Sequence, residues 1–380
     1  MDLDWTDSEE AFRKDARAFL AEHAPFDLAS GDTADGFAAH LEWEKLLFEK
    51  RWSVVSWPEA YGGRDASLFE WLLFEEEYYR AGAPQRVTQN GIFLLAPSLF
   101  YFGTKDQQDA ILPRMAAAED LWCQGWSEPE AGSDLAAISS RATRVEGGWV
   151  LDGQKTWTTR GAFCSHLFGL FRSDPASERH RGLTYLLVPL DTPGITVRAF
   201  RRLDGDDGFA DVFFAGAFVP DETPLGSPVL GEVGEGWSVA MATTGSERGL
   251  TLRSPGRFLA TAERLVELYR ATGREDPVLR DRVTSCWMRA EAYQLFTLKA
   301  VTEMANGAEM GPISSVNKIY WSELDVDLYD CALDILGPGA ELEGPWSKGW
   351  QFSLSGPIYA GTNEIQRNIA AERVLGLPRR

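Results

Sequence analysis

The sequence predicts an α+β protein of more than one domain, with helical segments on both sides of a strand-rich middle. Apolar residues recur at helical spacing up to about residue 119 and again from about residue 236. Between these regions, short β-branched and aromatic runs are separated by Gly, Asp and Pro. The chain has 380 residues, more than one compact core usually holds, so two or three packed units are expected.

The first segment, residues 1–119, is predicted to be helical. Thr6 and Glu9 have the spacing of a capping box, and an apolar stripe follows on one helix face at Phe12, Ala16, Phe19 and Leu20. Residues 40–52 and 67–82 repeat this pattern of an apolar stripe and a charged face. The Pro- and Gly-rich stretch between them predicts a connection.

The remaining two segments differ from each other in the spacing of their apolar residues. Residues 120–235 contain runs typical of strands, such as GGWVLDGQKTWTT and GLTYLLVPLD. Helical spacing returns in residues 236–380, where Pro255 is expected to kink or break the first helix. Strands and helices do not alternate along the chain, which argues against a doubly wound nucleotide-binding fold.

Charge and residue distribution limit the possible partners. A net charge of −20 argues against nucleic acid, because phosphates are bound by clustered Lys and Arg. No stretch is long and apolar enough for membrane insertion. The first residues lack the basic start and apolar core of a signal peptide, so we expect a cytoplasmic protein. Cysteines and histidines are scattered without metal-ligand spacing, so no metal site is predicted.

The most unusual stretch is CQGWSEPEAGSDLA, residues 123–136. Gly132 and Ser133 lie in a turn-prone context, where free backbone amides suit a flat heterocycle or a phosphate. Farther along the chain, Trp157 lies between threonines at strand-like spacing, so its ring could form one wall of a planar cofactor site. From their spacing alone, both patterns fit ordinary loop and strand residues better than a cofactor site, because short motifs are weak signals.

Glu247 is a third candidate, in the helical stretch TTGSERGLTLR. Gly245 and other small residues precede it and leave room beside the helix. A carboxylate buried there would have a raised pKa and could act as a general base. The alternative is a solvated Glu beside Arg248.

Six stretches, taken together, carry a family resemblance: WSVVSWPEAYGGRDA, FGTKDQQDAILPRMAAAEDLWCQGWSEPEAGSD, WVLDGQKTWTT, VLGEVGEGWSVAM, SSVNKIYWSE and IYAGTNEIQRNIAAERVLG. In this order and spacing they resemble the acyl-CoA dehydrogenase family of flavoproteins. The resemblance implies an N-terminal α-helical domain (1–119), a middle β-barrel or sandwich domain (120–235) and a C-terminal domain like a four-helix bundle (236–380).

The resemblance also implies FAD as the cofactor. The segment from Gln124 to Ser133 would cradle the flavin ring, with Ser127 where the family more often has Thr. Trp157 and the threonines after it would lie against the other side of the ring, and the C-terminal motif would contact the cofactor again. The implied cofactor-binding residues are Gln124, Trp126, Ser127, Gly132, Ser133, Trp157, Thr158, Thr159, Thr362 and Glu364.

The implied reaction is α,β-dehydrogenation of an acyl-CoA thioester, in which a carboxylate removes the α-proton and a hydride leaves the β-carbon for the flavin. Many relatives place the base one residue after the Tyr of the C-terminal motif, where this chain has Ala360. Glu247 matches an alternative position for the base, and Ala360 then predicts room for a branched or bulky acyl group. The implied substrate contacts are Ser133, Gly245, Arg248, Tyr359, Ala360 and Gly361.

Two segments that help bind a neighbouring subunit's FAD in the family are altered. One reads GREDPVLRDR without the expected Phe-Gly, and the other reads DILGPGAEL, with Asp334 in place of Gln and Pro338 in place of Gly. A heteromer with a related acyl-CoA dehydrogenase subunit and a homo-oligomer with divergent contacts both remain possible. Family analogy implies an electron-transfer flavoprotein as the acceptor.

Two other functions are compatible with the same resemblance. Ala360 favours a non-catalytic, FAD-poor or FAD-sharing subunit, whereas the intact WSEPEAGSD and KTWTT stretches and Glu247 favour an enzyme. Acyl-CoA oxidases and flavin monooxygenases use the same fold and differ in oxygen access to the reduced flavin.

Overall fold

The computed structural model describes residues 4–25, 27–248, 254–308 and 311–378. The predicted order of helices, strands and helices is confirmed. By its internal contacts the chain forms two compact units. One combines Met1–Phe26, Ala66–Pro84 and Arg248–Arg380, and the other combines Asp27–Asp65 and Gln85–Glu247. The boundaries of the three predicted domains stay a prediction.

The main helices in the described residues, in chain order, are α1 (Asp7–His23), α2 (Ala34–Glu49), α3 (Leu68–Arg80), α4 (Ala96–Phe102), α5 (Lys105–Ala116), α6 (Gly236–Arg248), α7 (Pro255–Ala271), α8 (Pro277–Ala305), α9 (Ile313–Leu336), α10 (Pro345–Ser353) and α11 (Asn363–Ile369). The strands are β1 (Trp122–Gly125), β2 (Arg141–Val145), β3 (Gly148–Thr159), β4 (His166–Arg172), β5 (Leu183–Pro189), β6 (Ile195–Phe200) and β7 (Phe209–Pro220). A π-helical turn, Asn90–Leu95, precedes α4.

Local sequence explains where several helices begin. Thr6 and Glu9 form the predicted capping box at the start of α1, because each side chain binds the other's backbone N–H. The predicted break at Pro255 is also present: α7 begins at this residue, capped by the Ser254 side chain. Proline fits the first helical position because its missing N–H has no helical partner there.

The unit that combines Asp27–Asp65 and Gln85–Glu247, here called the strand-rich unit, contains one seven-stranded sheet. Its strand order is β1-β4-β2-β3-β7-β6, and β5 pairs with β4. Strands β1 and β4 run parallel, with Gln124 beside Phe168, whereas β3 and β7 run antiparallel. One face of the sheet buries a core that includes Cys123, Leu167, Phe171 and Val212. Because side chains alternate along a strand, Gln124 lies on the face opposite Cys123.

The other compact unit, which contains α1, α3 and the helices from α7 onward, is here called the helical unit. In it, α7, α8 and α9 pack around a core that includes Phe258, Tyr293 and Trp321. Its α1 is fixed to α3 by ion pairs from Arg13 and Arg17 to Glu77. In the described part of the chain, every helix is too short or too polar to cross a bilayer.

Candidate functional site

Strand β1 and the loop after it carry two buried donor groups, on the half-buried Gln124 and the buried Trp126. Within the described residues, Gln124 Nε2 and Trp126 Nε1 have no hydrogen-bond partner. The Trp126 ring packs edge-on against Tyr185, with 6.2 Å between ring centroids. A buried donor without a partner costs free energy, so these two groups point to a ligand that accepts hydrogen bonds.

The end of β3 presents a second set of groups. Trp157 occupies a bulge between β3 and β7 with a φ of 57°, and 60% of the residue is exposed. Its ring stands nearly perpendicular to the rings of Phe200 and Phe209, and much of the indole is open to solvent. Thr158 is fully buried, and its hydroxyl lacks a partner in the described part of the chain. Thr159 follows, paired with Phe209.

The two sequence-predicted segments lie side by side in this unit. The Thr156 N–H donates to Ser127 O at 2.9 Å, and Lys155 Nζ donates to Trp126 O at 3.3 Å. Lys155 also forms a buried ion pair with Glu128 at 2.8 Å. Burial alone raises the pKa of Glu128, but the Lys155 charge and its hydrogen bonds overcome this and hold the pKa at about 2. The Glu128 carboxylate is therefore charged at neutral pH.

Gly132 and Ser133 lie on the exposed side of the same loop. A Cβ added to Gly132 would have no heavy atom within 4 Å, so the loop leaves open space there. Asp134, the next residue after Ser133, is held by an ion pair with Arg179 at 2.7 Å. Gly132 is therefore open to solvent, next to a loop end that carries an exposed ion pair.

Buried hydroxyl groups hold helix α6 against helix α4 and strand β5. Thr243 donates to Val239 O in its own helix, and its oxygen lies 2.7 Å from Ser98 Oγ and 3.3 Å from Tyr185 Oη. Because the Thr243 proton is already used, Ser98 and Tyr185 act as the donors. The hydroxyl groups of Ser98, Thr243 and Tyr185, here called the hydroxyl triad, fix the rotation of α6.

Gly245 lies on the exposed side of α6, and an added Cβ would meet no heavy atom within 4 Å. Glu247 follows Thr243 by about one helical turn, so the two positions share a face of the helix. The side chains of Glu247 and Arg248 lie outside the described part of the structure, so both roles stay predictions.

The C-terminal motif belongs to the helical unit. Ala360 has a φ of 56° and Gly361 a φ of 76°, and Gln366 Nε2 donates to Ala360 O at 2.8 Å. Tyr359 packs against Trp321 with 5.9 Å between ring centroids. The motif is thus a tight left-handed turn, and it has a methyl group at the position where the family resemblance implies a carboxylate in many relatives.

Thr362 and Glu364 lie at the beginning of α11. The Thr362 hydroxyl caps the helix by accepting from Ile365 N, which is a structural role independent of any cofactor. The side chain of Glu364 is exposed, and its own backbone N–H and the Thr362 hydroxyl lower its pKa. Contact of these two residues with a cofactor therefore stays a prediction.

The groups in the strand-rich unit fit a flat heteroaromatic group. Three unpartnered buried donors suit the polar edge of such a group, the exposed Trp157 side chain suits its ring, and no side chain fills the space beside Gly132. Sequence reasoning missed Lys155, Glu128 and the hydroxyl triad. The local signal for the first of these was a lysine inside a predicted strand.

Along the chain, helical segments come before and after a strand-rich middle, and the donor set in the strand-rich unit fits a class of proteins that hold a planar cofactor. Three family profiles match the chain in order: the N-terminal domain of acyl-CoA dehydrogenase at residues 6–119, the middle domain at 123–216 and the C-terminal domain at 234–375. The chain belongs to the acyl-CoA dehydrogenase family, whose members carry a flavin.

Comparison with individual proteins agrees with this assignment. The acyl-CoA dehydrogenase IpdE1 of Mycobacterium tuberculosis is 38% identical over 385 residues, which cover 97% of this chain and 98% of that protein. The solved Tcur3481-Tcur3483 steroid ACAD superposes with a TM-score of 0.88 at 27% identity over 100% of both chains. The ChsE4-ChsE5 complex from Mycobacterium tuberculosis gives 0.84 at 25% identity, again over 100% of both chains.

Proposed function

We propose that this chain catalyses the FAD-dependent α,β-dehydrogenation of an acyl-CoA with a branched or bulky acyl group, using Glu247 to remove the α-proton. The observation that carries the proposal is the set of unpartnered donors on Gln124, Trp126 and Thr158, gathered in one compact unit. An acyl-CoA dehydrogenase that had lost its flavin would have no reason to keep these buried groups unpaired.

The residues of the site suit the isoalloxazine ring of FAD. Gln124, Trp126, Ser127 and Thr158 are proposed to donate to its polar edge, and the exposed Trp157 ring to lie against its face. FAD bound here supplies the acceptor for the hydride that leaves the β-carbon. The remaining proposed contacts are Gly132, Ser133, Thr159, Thr362 and Glu364.

Glu247 is proposed to take the α-proton. Its helix is fixed by Thr243 about one turn earlier, which would hold the base in a constant direction. A carboxylate screened from water binds a proton more strongly and is therefore a better base. The negative charge that develops on the thioester oxygen as the proton leaves requires hydrogen-bond donors around it.

The proposed substrate is bulky because small residues occupy positions that could otherwise fill the site. Ala360 has only a methyl group, and Gly245 and Gly361 have no side chain. Ser133, Arg248 and Tyr359 are proposed as further contacts to the acyl-CoA. A relative described as a steroid ACAD supports acyl groups that carry a ring system.

A related but different subunit is the proposed partner. Arg282 in the first altered segment pairs with Asp334 in the second, and Arg274 donates to Ile335 O at 3.2 Å. The two segments therefore bind each other within this chain, which leaves them poorly suited to complete a neighbour's FAD site. Two relatives are described as assemblies of two different chains, which supports a heteromer over a homo-oligomer. We propose an electron-transfer flavoprotein as the acceptor.

The test begins by producing the chain alone and together with a related subunit encoded beside it. We expect FAD to be retained mainly in the co-produced sample, and anaerobic addition of a ring-bearing acyl-CoA to bleach the flavin absorption. Loaded protein that no acyl-CoA bleaches would contradict the proposed reaction. Flavin-free protein in both samples would favour a structural subunit, and fast reoxidation by air with peroxide release would favour an oxidase.

A further inference from the structure

Lys155 is a buried cation inside the sheet of the strand-rich unit. Its relative exposure is 0%, and its ammonium group donates to Leu170 O at 2.7 Å, Glu128 Oε1 at 2.8 Å and Trp126 O at 3.3 Å. A lysine ammonium has three protons, so all of them are used. One side chain thus connects β3, β4 and the loop after β1.

Glu128 extends this connection to the beginning of β2. Its carboxylate accepts from the Ser139 N–H at 2.6 Å, from the Ser139 hydroxyl at 2.9 Å and from the Ser140 N–H at 2.9 Å. Together with Lys155 it ties the loop to residues on both of its sides. The loop is therefore held by side chains of the sheet and by its own turn between Glu128 and Ala131.

Stability alone is a weak reason for such a pair. Moving two charges out of water is costly, and apolar side chains of similar volume often stabilise a protein as well or better. A buried ion pair can, however, fix the direction of a peptide group, which an apolar contact does not do. The orientation of the Trp126 peptide is therefore the feature that requires Lys155.

The hydrogen bond from Lys155 to Trp126 O determines the direction of the Ser127 N–H, which belongs to the same peptide group. In a planar trans peptide the C=O and the following N–H point in opposite directions, so the Ser127 N–H is directed away from Lys155. The Ser127 carbonyl is also occupied, because it accepts from the Thr156 N–H. Among the described residues, neither the N–H nor the hydroxyl of Ser127 has a hydrogen-bond partner.

We propose that Lys155 is a positioning residue for the flavin: together with Glu128 it holds the Trp126 carbonyl, so that the N–H and hydroxyl of Ser127 are aimed at the cofactor ring. This inference rests on the FAD site proposed above. Lys155 acts through the loop and has no direct contact with the reacting atoms.

Lys155→Met tests the inference, because it keeps the length of the side chain and removes all three donors. We expect FAD to bind at least about tenfold more weakly, the loss of roughly one well-made hydrogen bond. In the apo protein, amide hydrogen exchange should speed up in a peptide covering residues 124–134 and stay unchanged in β6 and β7. Glu128→Gln should show a smaller effect, because Lys155 can still hold the two carbonyl oxygens.

Arg144→Met is the matched control, since it removes a cation that pairs with Asp221 in the same sheet. FAD affinity and local exchange should stay at their wild-type values in this variant. FAD affinity in Lys155→Met within twofold of wild type, or uniformly faster exchange over the whole sheet, would overturn the positioning role. If the wild-type chain binds no FAD, the proposed cofactor site fails, whereas the exchange measurement on apo protein still decides whether Lys155 orders the loop.

Discussion

At the scale of single residues, the C-terminal motif lacks the carboxylate that many family members carry, and this raises the question whether the chain is active. Position 360 has Ala instead of a residue with a carboxylate. Its φ of 56° shows that the backbone there is in the left-handed region. The family resemblance predicts Glu247 as the replacement, on helix α6, where Thr243 donates to Val239 O. If Glu247 is the base, loss of the motif carboxylate does not imply loss of activity.

Glu247→Gln should retain FAD and lose turnover by about a thousandfold, because a neutral amide cannot accept the α-proton. The measurement is the rate of flavin bleaching in a single turnover under anaerobic conditions. Glu235→Gln, at an exposed glutamate just before α6, is the matched control and should behave like wild type. Near-normal bleaching in Glu247→Gln would remove it as the base.

Ala360→Gly should stabilise the chain by about 0.5–1 kcal/mol, because a left-handed φ disfavours residues with a Cβ. The check is the urea midpoint of the purified protein. Ala292→Gly, at an exposed position inside α8, should have the opposite effect and destabilise by about 1 kcal/mol. A decrease in stability for Ala360→Gly would show that the turn has no such strain.

At the scale of elements, helix α6 depends on the hydroxyl triad. Thr243→Val keeps the shape of the side chain but leaves the Ser98 and Tyr185 hydroxyl groups without their acceptor. We expect a loss of about 2 kcal/mol in the free energy of unfolding. Ser98→Ala should cost less, about 1 kcal/mol, because it removes a donor and leaves Thr243 paired with Val239 O. Equal costs for the two variants would contradict this account.

Local sequence predicted the elements whose ends depend on neighbouring residues. Thr6 with Glu9 and Pro255 marked the beginnings of α1 and α7 because capping acts within a few positions. The burial of Lys155 could not be predicted in this way, since its partner Glu128 is 27 residues away in the chain. The link between Ser98 in α4 and Thr243 in α6 spans 145 residues, so only the folded chain reveals it.

At the scale of the whole molecule, each compact unit contains a buried carboxylate that must stay ionised. Burial alone raises the pKa of Glu77, but hydrogen bonds from Arg17 and Arg13 and the Arg80 charge hold it at about 2. Glu128 plays the same part in the strand-rich unit, with a pKa of about 2. Both units are therefore sensitive to acid for the same physical reason.

The pH dependence follows from the sign of these shifts. A carboxylate whose folded pKa is depressed stabilises the fold above about pH 4.5, and this contribution is lost as pH falls toward 2. For Glu77 the folded pKa of about 2 lies below the usual value of 4.5, so this carboxylate contributes stability at neutral pH. Wild-type urea midpoints should therefore fall between pH 5 and pH 3, and Glu77→Gln should reduce that slope. An unchanged slope in the variant would show that Glu77 titrates normally.

The exposed indole of Trp157 has a consequence for how the chain behaves in a cell. Trp157 is 60% exposed and lies beside Phe200 and Phe209, so it adds apolar surface that other unfolded or partly folded chains can contact. If the cofactor covers it, the supply of riboflavin sets how much of the newly made protein carries this liability. Yield of soluble protein would then respond to vitamin availability, before any catalytic step is considered.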